Sequence, residues 1–342
     1  MILQSVNLLK YLDYRPKFIE EVCVRNISSK SSCNLCQMAC PNKAIKVIRG
    51  GIEIKNNCKQ CGLCVLACPQ NALVDNGSDF LRHEDKIYVI CDKNLQANRI
   101  DKRALVFCLK KLKLKLLLNL SNRGINTIVT NMDKCGSCEE DNCFAREVMI
   151  ANKILDKSNR EKIIIESVDF DTFQDEVKKI EKKENNKVVD RRDFFKSLMK
   201  ESVGAIRDLA PPTLCVKSLQ TQEDILIDWA KNKEVKLGIF NIKIQADKCI
   251  ECRACIKLCP KGVWDEKRDE LIVKVYKCSG CRLCQDICVG GAIEIERQIT
   301  EHYDLIRQKT QKECNRCGEL FATYQENKTN CPKCISKGLF NK

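Results

Sequence analysis

Cys58, Cys61, Cys64 and Cys68, followed by Pro69, are spaced C-x2-C-x2-C-x3-C-P. Three thiolates at that interval can wrap one face of an iron–sulfur cube. The fourth, one turn later and before a helix-stopping proline, is aimed at a second cube. The spacing recurs at Cys249, Cys252, Cys255 and Cys259 with Pro260, and again at Cys278, Cys281, Cys284 and Cys288. In the last run Val289 replaces the proline, a change at a non-ligand position. An irregular run, Cys33, Cys36 and Cys40 with Pro41, has Lys30 where the first cysteine belongs. The nearest spare thiol is Cys23, with nine residues between it and Cys33.

These runs resemble those of bacterial two-cluster ferredoxins over about a third of the chain. The resemblance implies one-electron transfer through low-potential clusters, with the fourth ligand exchanged between the two runs of each pair. Four [4Fe–4S] clusters are therefore expected. Cys23, Cys33, Cys36 and Cys68 would hold one, with residues 24–32 as a loop insertion, and Cys58, Cys61, Cys64 and Cys40 a second. Cys249, Cys252, Cys255 and Cys288 would hold the third, and Cys278, Cys281, Cys284 and Cys259 the fourth. The alternative for the first pair is a single surviving cluster with Cys23 as a buried thiol. The two ferredoxin-like units fall at 1–75 and 237–300, the second with a strand over 237–244 leading in and Ile293 and Ile295 in its small sheet.

Two further groups of cysteines have other spacings. Cys314-x2-Cys317 and Cys331-x2-Cys334, thirteen residues apart, suit a structural zinc ribbon over 301–342, with four thiolates in tetrahedral array. Rubredoxin-like iron uses similar knuckles across a longer loop, which favours zinc here. Between the ferredoxin-like units, residues 76–166 change to a strand–helix–strand–helix–strand pattern: strands over 86–91, 125–130 and 162–166, and helices over 102–122 and 142–156. That order predicts a small α/β unit with a parallel sheet. Cys91, Cys108, Cys135, Cys138 and Cys143 would converge at the carboxyl edge of its strands, where ligands bind in open sheets, with Cys108 near the start of the first helix. The segments CLKKL, LSNRGINTIV and CGSCEEDNC resemble the delta iron–sulfur subunit of viologen-reducing hydrogenases, and the resemblance implies a [2Fe–2S] site among these five thiols. Two other readings stay open: a thioredoxin-type dithiol at Cys135 and Cys138, and simple packing of Cys91 and Cys108.

The fold class expected is α+β: two ferredoxin-like units flanking the α/β unit, with the zinc-ribbon-like tail last. Residues 167–236 are expected as a charged helical linker, in which 169–189 form a solvated helix and 192–208 an amphipathic one. At its start stand Arg191 and Arg192, the first just before the helix, a twin-arginine pair without the apolar run that an export signal needs, and Cys215 is expected to be buried. Twenty-six cysteines in 342 residues, with no leader-like start, read as metal ligands in a reducing cytoplasm rather than disulfides.

Once four cubes and one tetrathiolate metal are counted, the formal charge of +14 falls to roughly +4. That weakens any nucleic-acid reading. No apolar run reaches the roughly 18 residues of a membrane span, although peripheral association with a membrane complex stays compatible. There is no glycine-rich dinucleotide fingerprint, and His83 and His302 stand alone in polar stretches. The expectation is a cytoplasmic electron-transfer subunit whose partner is a separate oxidoreductase, such as a hydrogenase or a molybdenum enzyme. A thiol/disulfide oxidoreductase using Cys135 and Cys138, and an iron–sulfur scaffold, are the alternatives.

Overall fold

The computed structural model describes residues 15–74, 80–91, 100–106, 108–133, 135, 143–186, 219–231, 236–267, 270–302 and 305–339. Residues 1–14, the turn over 76–79, Cys138, the helix expected over 192–208 and Cys215 lie outside them. The architecture is mixed α/β, made of several small sheets.

In the middle unit, Ile164–Ser167, Thr127–Thr130, Lys86–Tyr88 and Leu81–His83 form one sheet in that order. The first three strands are parallel, and Leu81–His83 closes the edge antiparallel. The first helix is much shorter than its leucine run predicts, covering only Leu114–Asn122. Upstream of it, Leu105–Val106 is drawn out as a strand that pairs in parallel with Ile90–Cys91. Cys108 therefore lies outside the α-helix and caps the 3-10 turn Leu109–Lys111. Sheet pairing has outcompeted helix propensity here, a common tertiary override.

Leu114–Asn122 is buried on every side. Leu114, Leu116, Leu117, Leu118 and Leu120 are all at most 2% exposed. Each contributes about 1.5–3 kcal/mol by leaving water, and a helix apolar all round is a core helix. Its polar residues are satisfied inside: the Lys115 ammonium donates to Asn71 Oδ1 and to the Val65 carbonyl, and Asn119 exchanges hydrogen bonds with the Gln220 backbone. Gly124, at φ +71, ends the helix, and Ile125 N–H closes back on the Leu120 carbonyl at 3.0 Å. One continuous core joins this helix to Val65, Leu66 and Leu73 of the first unit, to Ile225 within the segment expected as a linker, and to Ile239 of the second unit.

The helix Phe170–Asn186, expected to be solvated, is instead packed on one face. Phe173, Val177 and Ile180, spaced i, i+4, i+7, are buried against Leu81, Tyr88, Ile90 and Val129.

Glu147, on the helix Cys143–Lys157, ties the middle unit to the strand Ile293–His302. It accepts from Arg297 at 3.2 and 3.0 Å and from Leu114 N–H at 3.1 Å. Burial pushes its carboxyl up, but the Arg297 and Lys113 cations and the Leu114 N–H outweigh that and hold it below the usual 4.5. A depressed carboxyl contributes stability above its unfolded value and loses it as pH falls through the folded one. This contribution should therefore be intact at neutral pH and disappear below about pH 4.5. Glu147→Gln should lower unfolding stability by about 1–3 kcal/mol at pH 7 and flatten that acid limb, as read by denaturant melts across pH.

Candidate metal centres

The three regular runs share a backbone signature. In each, the second residue after the first cysteine and the residue after the second cysteine are left-handed: Gln60 and Gly62, Glu251 and Arg253, Gly280 and Arg282. Non-glycine residues pay about 1–2 kcal/mol for this conformation. What it accomplishes is to turn backbone N–H groups toward one concavity, an arrangement that favours anions. Gly280 is also required by space, since a Cβ there would meet the Phe240 ring at 2.2 Å. A second signature follows the fourth cysteine of all four runs, where the residue three positions on is left-handed: Lys43, Asn71, Gly262 and Gly291. The turn lets an N–H reach back to sulfur, so Ala44, Ala72 and Ala292 donate to Cys40, Cys68 and Cys288, each at 3.2 Å. The irregular run thus keeps the ordinary ending and lacks the ordinary start. Asn34, after Cys33, has φ −139.

The thiols gather in fours. Cys23, Cys33, Cys36 and Cys68 line one cavity with Phe18, Val24, Leu35, Ile52 and Leu73. Burial pushes the Cys36 thiol up to about 12, and Cys68, Cys33 and Cys23 push it the same way. Burial likewise raises Cys64, with Cys61, Cys58, Cys36 and Cys40 as like-charged neighbours. Cys255 is raised to about 12 by burial and by Cys249, Cys252 and Cys288. Cys278 is raised to about 12 by burial, with Cys281 and Cys259 adding, and Cys284 is raised by burial and then by Cys278, Cys281, Cys259 and Cys255. Four sulfurs this close, most of them partly buried, cannot all ionise without cations among them. That donor set suits iron–sulfur ligation, in which each cysteine binds as a thiolate. The remaining surroundings are apolar, with Val263, Trp264, Val273, Ile293 and Ile295 packed around the second unit's thiols.

The groups also form a series. Cys36 lies beside Cys64, and Cys255 beside Cys284, within the respective units. Cys33 and Cys281 line one cavity and border one apolar cluster, across the two units. Cys252, at the far end, is exposed to solvent, flanked by the half-exposed Ile250 and, near Cys288, by Val289 at 73%.

In the tail, the sulfurs of Cys314, Cys317, Cys331 and Cys334 all lie within 4.8 Å of one another. Cys317 and Cys331 are 3.8 Å apart, the edge of a tetrahedron with metal–sulfur bonds of about 2.3 Å. The knuckle is built by the hairpin Thr310–Glu313 and Leu320–Thr323 and by Gly318 at φ +71, whose N–H returns to the Cys314 carbonyl at 2.8 Å. Cys331 N–H donates to Cys314 Sγ at 3.2 Å and brings that thiol down to about 6. That lowering favours the thiolate form in which cysteine binds a divalent cation.

In the middle unit, Cys91 and Cys108 follow the register of two adjacent parallel strands, Ile90–Cys91 and Leu105–Val106. Cys135 comes just after Thr127–Thr130 and, like Cys91, packs partly buried against the core. Cys143 opens the helix Cys143–Lys157. Of this set the strand ends bring Cys91 and Cys108 to one edge, and Cys138 lies outside the described residues.

The left-handed residues were the signal that spacing alone did not carry. The residue three after each fourth cysteine is Lys, Asn, Gly and Gly, and of these types only Asn and Gly favour that conformation.

Compared with known proteins, residues 241–289 match the family model of a 4Fe-4S dicluster domain. Residues 52–74 match that of a 4Fe-4S binding domain. No curated protein matches the chain. Among the described residues no helix is long and apolar enough to cross a membrane. Two matched 4Fe-4S domains, with thiols grouped as such clusters require, show that the chain carries two ferredoxin-type 4Fe-4S domains.

Proposed function

We propose that the chain is an electron-transfer subunit that passes single electrons to or from a separate oxidoreductase such as a hydrogenase or a molybdenum enzyme. The observation that carries this reading is the unbroken series of four thiol groups across both units. In it, Cys40, Cys58, Cys61 and Cys64 hold the first [4Fe–4S] cluster and Cys23, Cys33, Cys36 and Cys68 the second. Cys259, Cys278, Cys281 and Cys284 hold the third, and Cys249, Cys252, Cys255 and Cys288 the fourth. Such clusters supply one-electron chemistry at potentials tuned by hydrogen bonds to sulfur and by burial. The protein's own part is to exclude water with the apolar cores around the thiols, and to orient sulfur through the Ala44, Ala72 and Ala292 N–H groups.

Cations beside the row favour the reduced, more negative state. Lys115 faces Cys68, Lys111 faces Cys61 and Arg25 faces Cys33. Exposed Cys252, with Ile250 and Val289 beside its group, suits the end that meets a redox partner. We assign the tail thiols Cys314, Cys317, Cys331 and Cys334 to a structural zinc. The middle thiols Cys91, Cys108, Cys135, Cys138 and Cys143 are assigned to a [2Fe–2S] site. The thiolate chemistry suits a reducing compartment such as the cytoplasm.

An anaerobic reductive titration tests the function. The chain should take up about one electron per cube and return them to a one-electron acceptor such as methyl viologen. Clusters reducible only on unfolding would assign them to a scaffold instead.

A further inference from the structure

The nine residues between Cys23 and Cys33 are where the chain departs from the spacing of its other three runs. They are also where the two ferredoxin-type units touch. Val24–Ile27 forms one helical turn. Val24, 2% exposed, packs against Leu283 and Ile287 of the second unit, with Ile27, Ala254 and Leu258 at the margin of the same apolar cluster. At the other end of the insertion, Ser32 grips Asp286 with two hydrogen bonds, backbone N–H to Oδ2 at 2.7 Å and hydroxyl to Oδ1 at 2.8 Å. Across the seam, Gln70, two residues after Cys68, donates to Ser279 Oγ at 2.6 Å, and Ser279 adjoins Cys278. Between these contacts Cys33 and Cys281 share the margin of that cluster.

We infer that residues 24–32 are a docking clasp, which holds the Cys33 edge of the first unit against the Cys281 edge of the second so that the four thiol groups make one row. An ordinary C-x2-C start would leave no room for this turn, since two residues cannot both connect the ligands and present Val24, Ile27 and Ser32 outward. Moving the first thiol back to Cys23 frees the intervening chain for the contact. The apolar part of the clasp keeps water from the shortest path between the units. The Ser32–Asp286 pair fixes the angle at which they meet. Val24, Ile27, Ser32 and Asp286 act as positioning residues, because none of them is a cysteine ligand and each acts through the placement of Cys33 and Cys281.

This inference rests on the electron-carrying reading, and the two can fail separately. Asp286→Ala in the full chain removes both Ser32 contacts and leaves every cysteine in place. Iron content should stay at the wild-type value. In the fully reduced protein, the part of the electron paramagnetic broadening that arises between the units should disappear. Electron passage from the first unit to the second should slow on the order of tenfold or more, as ångström-scale misplacement of reacting groups does. Asp286→Glu, which can still accept from Ser32, should recover most of both signals. Val24→Asp, which attacks the apolar half of the contact, should give the same pattern. Wild-type protein without reducible clusters would sink the electron-carrying reading itself. Reducible wild-type protein with Asp286→Ala and Val24→Asp spectra and rates unchanged would overturn the clasp alone. So would loss of iron in Asp286→Ala, because the residue would then serve cluster assembly rather than docking.

Discussion

Cys23→Ser is expected to cost the chain one cube and no more, taking iron from about sixteen to about twelve atoms. The reason is local. Cys23 lines the same cavity as Cys33, Cys36 and Cys68, and its carbonyl holds the turn that follows, accepting from Asn26 and Ile27 N–H at 2.9 and 3.1 Å. A serine oxygen can keep that backbone but is a poor substitute for a thiolate on iron. The other three groups contain no contribution from Cys23, so their iron should be retained. The functional effect should exceed the loss of a quarter of the metal. The Cys23 group lies between the outer thiols of the first unit and the whole of the second, so its removal should isolate Cys40, Cys58, Cys61 and Cys64 from the rest of the row. Iron analysis beside rapid-mixing reduction would show it. If iron were unchanged at about sixteen atoms in Cys23→Ser, Cys23 would not be a cluster ligand; if the wild type itself held only about twelve, the row would lack the cube assigned to Cys23.

The second large effect is expected in the tail. Its core consists of Cys314, Phe321 and Cys331, with Cys334 packed alongside. So small an apolar cluster cannot offset the entropy of ordering the chain. On the zinc assignment, metal binding would supply the difference, since structural zinc contributes about 10–16 kcal/mol in isolated fingers. Cys331→Ser should abolish zinc retention and expose the amides of Thr310–Glu313 and Leu320–Thr323 to rapid hydrogen exchange.

The damage should then spread. Tyr324 N–H, at 2.9 Å, and the Thr323 hydroxyl both donate to the Glu251 carboxylate, and Lys328 pairs with it at 3.6 Å. Glu251 sits between Cys249 and Cys252 in a left-handed conformation at φ +59. With the tail unfolded that loop loses its outer support, and the Cys249 group should shed iron in air faster than the other three. Unchanged exchange protection in zinc-free Cys331→Ser would show that the tail folds without metal.

How much of this was legible beforehand differs by feature. Spacing sufficed for the two matched 4Fe-4S domains at 52–74 and 241–289, because iron–sulfur ligation demands residue type at fixed intervals. The leucine run misled over 102–122, since periodicity cannot see that Leu105–Val106 has a strand partner in Ile90–Cys91. The helix Phe170–Asn186 did carry its signal, with Phe173, Val177 and Ile180 at helical spacing, but a dense background of Lys and Glu masked it. What spacing could not convey was the seam between the units. Ser32 and Asp286 are 254 positions apart, and nothing in either neighbourhood announces the other. The irregular start at Cys23 looked like a defect from the sequence. Beside Leu283 and Ile287 it has a physical use.

The most direct test of the electron-relay account is iron, sulfide and zinc analysis of anaerobically purified full-length protein, read beside its electron paramagnetic spectrum after reduction. Four cubes and a zinc ribbon predict about sixteen iron atoms and one zinc per chain, rising to about eighteen iron if the middle thiols hold a [2Fe–2S] site. The reduced spectrum should be broadened by neighbouring cubes. About eight iron atoms or fewer, or a spectrum of magnetically isolated clusters, would contradict it.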